Sequence, residues 1–288
     1  MVKKIKDLMH AKWDYDVPLS PDGEQYWKMG AGEKVSQPFF LRWLWPYVCK
    51  QSSFRWRASS QIVTALLIPA SMLMLLCAGV PALGSVIGGF AVVGLAGVWK
   101  FNRNVPVLVD APAMLFTVLS ISFALLDWYY WPLAIILACV AVSIKEISIL
   151  FIFAATLNPY IFIALLIPAY LYFKVERGEY ISLNHHAVFA VQHPIQAGME
   201  AHRHIFQNWK LIIAPWGGLM ICVLFPSWSL LLGVLFAYLL LVTATDTVRL
   251  FQWCWPIVLL AVFLGIPSWA WIPVVLLTWF NPYQGDGA

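Results

Sequence analysis

The 27 residues Ile147 to Phe173, ISILFIFAATLNPYIFIALLIPAYLYF, decide how the chain is organised. As a single α-helix, at about 1.5 Å per residue, they would run near 40 Å, well beyond a hydrocarbon core of about 30 Å. Asn158-Pro159 interrupts them. A proline lacks the N–H that the helix ladder needs, and it drives the preceding residue out of helical space. We read two half-length helices that turn back at this dipeptide. The same punctuation by Pro, Gly or Asn recurs outward in both directions. It leaves apolar runs at approximately Gln61 to Val80, Ala82 to Trp99, Ala111 to Leu126, Tyr130 to Ser143, Leu211 to Phe225, Leu230 to Thr243, Leu250 to Leu264 and Trp269 to Phe280. With Ile147 to Leu157 and Tyr160 to Phe173, the count is about ten short spans. The expected fold is all-α: a polytopic transmembrane helical bundle over residues 58–288 with a polar loop at 174–210, preceded by a polar, partly interfacial segment over residues 1–57.

Composition agrees. Of 288 residues, 61% are hydrophobic and 11% charged, against about 25% charged in soluble domains. That excludes a water-soluble globule, a disordered chain and a nucleic-acid module, each of which needs far more polar or basic surface. Cys49, Cys77, Cys139, Cys222 and Cys254 are scattered singly without ligand-like spacing, and they read as small apolar fillers. The basic start, Met1 to Lys12, runs into Trp13 and Asp14 where a signal peptide would have its apolar run. The expected location is multi-pass in a membrane of the bacterial inner (plasma) type, with membrane lipid as a partner. The segment Pro38 to Arg57 mixes aromatics with Arg42, Lys50, Arg55 and Arg57, so we read it as lying in the interface, and most of the 16 Trp as interfacial anchors.

Assigning the polar segments to the two faces of such a bundle is lopsided. Of the 18 Lys and Arg and 14 Asp and Glu residues, only Asp127 falls on the second face. By the positive-inside rule the crowded face is cytoplasmic. Ionisable groups at or inside spans are costly and therefore candidates for function. Asp22, Glu24 and Tyr26 stand in the N-terminal segment, ahead of Arg42. Asp110 precedes Ala111-Pro112 at the start of a span, where a helix cap is the favoured reading. Lys145 and Glu146 lie between two runs, as apt to neutralise one another as to act. Asp246 and Arg249 are three apart and would share a helix face. Five of the six histidines, among them His193 and His202, fall in the loop 174–210. Gln192 to Trp209 has the pattern of an amphipathic surface helix with Ile195, Met199, Ile205 and Phe206 on its apolar side. A phosphate contact is the second reading of these histidines and a metal site the third, because their spacing does not suit shared ligation.

The order Asp22…Tyr26, Pro38-Phe-Phe-Leu-Arg42-Trp-Leu-Trp-Pro46, Val109-Asp110-Ala-Pro112, Ser143-Ile-Lys145-Glu146-Ile147 and Thr245-Asp246-Thr-Val-Arg249 resembles that of the multi-spanning GT-C glycosyltransferases, including the polyprenyl-phosphate-sugar-dependent mannosyltransferases. The resemblance covers about Asp22 to Phe280 through short, loosely spaced motifs. It implies a polyprenyl-phosphate-linked sugar donor, an acceptor hydroxyl or amine, and a divalent cation as a candidate cofactor. Carried over, Asp22 is the loop acid that acts as base or metal ligand, and Asp110 the second acid before a span. Lys145 faces phosphate, and Asp246 with Arg249 forms the late Asp-x-x-Arg. Glu24, Tyr26, Arg42, Glu146, His193 and His202 are candidate substrate contacts. In that family the charged face is extracytoplasmic, opposite to the charge rule, so sidedness stays open. A non-catalytic membrane scaffold that binds lipid or a partner, and a transporter, are the competing readings.

An even number of spans places both termini on one side of the bilayer. Reporter fusions at Met1 and Ala288 should report the same compartment, and opposite compartments would indict the turn at Asn158-Pro159 first.

Overall fold

The computed structural model describes residues 21–35, 39–104, 107–174, 193–207, 209–243 and 251–281. Every regular element among them is helical. We label the helices α1 (Pro21–Gly30), α2 (Leu44–Cys49), α3 (Ser53–Cys77), α4 (Ala82–Ala91), α5 (Phe101–Asn104), α6 (Asp110–Ala124), α7 (Trp131–Ile144), α8 (Ser148–Thr156), α9 (Leu166–Lys174), α10 (Pro194–Gln207), α11 (Trp209–Ile213), α12 (Trp228–Thr243), α13 (Trp255–Gly265) and α14 (Trp271–Trp279). Among the described residues, α3 alone is long and apolar enough to cross a membrane unaided; the bent pair Ala82–Gly94 and Ala96–Arg103 joins it if counted as one span. Shorter apolar helices of 10–17 residues make up most of the rest.

The turn that opened the sequence reading is present. Leu157 ends α8 in the left-handed region (φ 52°) and Asn158 is extended. The Asn158 side chain accepts the Tyr160 N–H at 3.0 Å, starting the 3₁₀ stretch Pro159–Leu165 that leads into α9. Two expectations need correcting. The segment read as interfacial is not one continuous element: after the turn Phe39–Leu41 and α2, the helix stops at Lys50 (φ 51°). It restarts at α3, where the Ser52 hydroxyl accepts the Arg55 N–H, so Arg55 and Arg57 belong to the first turns of the longest helix. Nor is Ala82 to Trp99 continuous: Leu95 is extended, and the two halves meet at a bend of 75°.

The helix ends gather in two sets. Asp110 opens α6, Lys145 and Glu146 join α7 to α8, and Trp253 lies in the turn that leads into α13; these residues meet at one side. The opposite ends, at Cys77, Leu125, Ala155, Phe225 and Gly265, line an apolar cleft of about 620 Å³. Consecutive helices α6, α7 and α8 therefore run antiparallel. Asp127 follows the α6 end at this second side, accepting the Tyr129 hydroxyl at 2.9 Å beside exposed Trp128.

Helix α14 is inserted between two broken stretches. A Cβ on Gly94 would stand 2.7 Å from the Thr278 carbonyl oxygen, and one on Gly218 would collide with the carbonyl of Val274. Both obstacles are backbone. At Gly88, by contrast, the nearest atom is the tip of the flexible Leu75 side chain. Gly94→Ala and Gly218→Ala should each lower stability by about 1–3 kcal/mol, the usual range for overpacking. Thermal unfolding in detergent should rank both below Gly88→Ala.

Candidate functional site

At the first side, five separate stretches of chain converge on two ion pairs. Arg42 follows the turn Phe39–Leu41 and reaches Glu146, 104 residues later, with two parallel bonds: Nε to Oε2 at 2.8 Å and Nη2 to Oε1 at 2.5 Å. Its Nη1 donates to the Tyr26 hydroxyl of α1 at 2.9 Å. This fork uses the planar guanidinium as a point charge could not be used. Beside it, the Lys145 Nζ sits 2.5 Å from the Asp110 Oδ1, and the same oxygen accepts the Trp253 indole N–H at 3.2 Å. The Lys145 ammonium also lies 5.3 Å from the centroid of a Trp253 ring, and the Phe151 ring packs against Trp253 with centroids 5.8 Å apart.

The two pairs differ in depth. Asp110 is 1% and Lys145 6% exposed, whereas the Glu146 side chain keeps 26% of its surface open. They are electrically one cluster, because the Asp110 and Asp22 charges both act on Tyr26 and the Lys145 charge acts on Glu146. Burial pushes the Tyr26 hydroxyl far above the ordinary phenol range, Arg42 opposes that, and Asp22 and Asp110 add to it. Tyr26 is thus a neutral phenol that accepts from Arg42 and retains a proton to donate. For Glu146, burial acts upward, but the Arg42 guanidinium prevails and holds the carboxyl below the usual carboxylate range. Since that value is depressed on folding, the pair contributes stability above the ordinary Glu range and loses it only as pH falls through the lowered value.

The expected residues are brought together unevenly. Asp110, Lys145, Glu146, Arg42 and Tyr26 form the cluster, and Asp22 lies one turn before Tyr26 on α1, within electrostatic reach. Asp110 is the first residue of α6, with Val109 in the capping position, and its carboxylate engages Lys145 and Trp253. Lys145 and Glu146 each form an ion pair with a distant partner, and the Lys145 charge is a lesser influence on Glu146 than Arg42 is. Exposed Glu24 pairs with Lys28 of α1 at 2.8 Å, an ordinary i,i+4 bridge rather than a member of the cluster. His193 is exposed just before α10. His202 of α10 shares a 2.9 Å hydrogen bond with Tyr238 of α12 and has its ring near Phe206, so its recorded contacts lie on those helices. Asp246 and Arg249 lie outside the described residues. Trp253 escaped the sequence reading because an indole in an apolar run looks like an anchor; its position between Asp-x-x-Arg and a proline-initiated helix was the available signal. Among the described residues, no group of three or more His, Cys, Asp or Glu side chains could hold a metal ion.

Comparison with known proteins returned no matching family model, no matching curated protein and no matching solved structure.

A buried ion pair that loses one partner leaves an uncompensated charge, typically costing about 3–5 kcal/mol. Lys145→Met should therefore destabilise the protein by about that much, whereas adding Asp110→Asn should restore a large part, since the neutral amide still accepts from Trp253. Thermal melts of the single and double variants in one detergent decide this: a double variant no more stable than the single would contradict it.

Proposed function

We propose that the chain is a membrane-embedded glycosyltransferase of the GT-C kind, multi-pass through about ten short spans, which moves a sugar from a polyprenyl-phosphate donor to an acceptor hydroxyl or amine. The observation that carries this reading is the meeting of Tyr26, Arg42, Asp110, Lys145 and Glu146, with Asp22 alongside, at one end of an otherwise apolar bundle. Charged groups are kept in such surroundings when they pair or act. This set contains the types that the reaction needs.

Asp22, half-buried near the start of α1, takes the acceptor proton. The acceptor atom then bonds to the anomeric carbon while the bond from that carbon to the phosphate oxygen breaks, and its electron pair leaves with the lipid phosphate. Arg42 and Lys145 stabilise the charge that grows on that oxygen. Their resting partners, Glu146 and Asp110, hold both cations in place before the donor arrives. A guanidinium carries five N–H hydrogens and the bonds to Glu146 and Tyr26 use three, so Arg42 can meet a phosphate without abandoning Glu146. The family resemblance adds Asp246 and Arg249 as its late Asp-x-x-Arg, and both lie outside the described residues.

A non-catalytic scaffold is the second reading, and the one-to-one matching of the cations Arg42 and Lys145 with carboxylates favours it. The two readings part at Asp22. Purified protein in lipid vesicles, given a polyprenyl-phosphate donor carrying a radiolabelled sugar and an acceptor extract, should transfer label. Asp22→Asn should abolish transfer while leaving the melting temperature unchanged. Full turnover by Asp22→Asn would remove Asp22 as the base, and no transfer by the wild-type chain across a panel of donor sugars would leave the scaffold.

A further inference from the structure

Gln252 stands one residue before the indole that touches the ion pair, and it is 1% exposed. Its Oε1 accepts the backbone N–H of Gly97 at 2.6 Å, and its Nε2 donates to the Pro215 carbonyl at 3.0 Å. Both partners belong to interrupted helices. Gly97 follows the bend at Leu95, and Pro215 precedes Gly217, whose φ of 53° and ψ of −129° break the stretch Ala214–Leu224. A break deprives backbone N–H and C=O groups of their intrahelical partners, and in apolar surroundings such groups must find others. One primary amide supplies a donor and an acceptor from a single carbon, and here it serves both breaks at once.

The consequence reaches the ion cluster through a very short lever. Gln252, Trp253 and Cys254 form a single 3₁₀ turn leading into α13. Its first residue is pinned to two other parts of the bundle, and its second donates to Asp110 at 3.2 Å and covers the Lys145 ammonium. Since a hydrogen bond is effectively lost by about 3.6 Å, a slackening of well under 1 Å at this turn would release Asp110. We infer that Gln252 is a positioning residue: by tying the turn Gln252–Cys254 to the two helix breaks, it fixes the Trp253 indole on Asp110 and Lys145. The consequence for turnover rests on the glycosyltransferase reading, whereas the linkage itself does not.

The test uses full-length protein in nanodiscs with ¹⁵N-labelled tryptophan, the Trp253 indole signal being assigned by its loss in Trp253→Phe. Gln252→Met keeps the length of the side chain and removes both hydrogen bonds. Its Trp253 indole N–H should shift and exchange with solvent at least roughly tenfold faster, as a locally opened turn would. In sugar transfer its kcat should fall about tenfold or more with KM within about twofold, because the group is displaced rather than removed from substrate binding. Gln252→Asn retains the amide on a stem one carbon shorter and should show smaller changes in the same direction; it decides the matter if the Met variant does not fold. An unchanged Trp253 signal in a folded variant would overturn the linkage, and a moved signal with unaltered kcat would overturn the positioning role. Absence of transfer by wild-type protein would instead count against the glycosyltransferase reading, while the indole signal still decides the linkage.

Discussion

A charge enclosed by apolar helices has to be matched within hydrogen-bond distance, and the bundle is arranged around two such matches. Asp110 opens α6 and Lys145 closes α7, so their bond ties the start of one helix to the end of the next. Glu146, one residue later, reaches out of the bundle to Arg42 and thereby holds the 39–49 segment and, through Tyr26, helix α1. Adjacent residues of opposite sign thus do separate work. Had they neutralised one another, Asp110 and Arg42 would each be left in need of a partner, a worse solution in an environment where unpaired charge is expensive.

The same demand for partners governs the uncharged backbone. Several helices are short or broken, at Leu95, Leu157 and Gly217, and each break frees N–H and C=O groups that lipid could not satisfy. Side-chain amides meet part of that need. Asn158 accepts the Tyr160 N–H beyond its own break, Gln252 serves two breaks, and the Asn281 amide donates to the Ala214 carbonyl. The breaks also let α14 approach closely, because glycines 94, 217 and 218 lie where a side chain would strike its backbone. Discontinuity and tight packing are here one device.

Much of this was legible in the sequence where a single residue type has one physical meaning. The turn at Asn158-Pro159, the helical class and an amphipathic helix within Gln192 to Trp209, observed over Pro194–Gln207, followed from proline chemistry, composition and periodicity. The break at Leu95 was not legible, because an apolar run without proline reads as continuous; its cause is tertiary, the passage of α14 against Gly94 and the Gln252 amide waiting for Gly97. For Arg42, Asp110, Lys145 and Glu146 the meeting at one side agrees with the reading of the sequence, but their pairing could not be read. Lys145 beside Glu146 offers a local partner, and only the fold shows that Glu146 bonds to Arg42 and Lys145 to Asp110. Trp253 was hidden for a related reason, since nothing in an apolar stretch says which indole has its N–H aimed at a carboxylate.

The two sides of the bundle are chemically opposite, and that asymmetry bears on the proposed substrate. One side concentrates guanidinium, ammonium and carboxylate groups, while the helix ends at the other enclose an apolar cleft with Asp127 and a cluster of exposed aromatics nearby. A lipid-linked phosphate has the same division within one molecule, a charged head and a long apolar tail. On the proposed reading, the described residues of the charged side carry the cations that would stabilise a departing phosphate, which puts the reacting bond at the level of Arg42 and Lys145. The tail would then run away from the cluster along the outer surface of short helices. Exposed Leu133 and Ile136 on α7 and Leu231 and Leu235 on α12 supply apolar surface of that kind. Short helices are consistent with this arrangement, because they bring the charged side nearer to the level of the hydrocarbon and shorten the distance over which a phosphate must leave water to reach the cations.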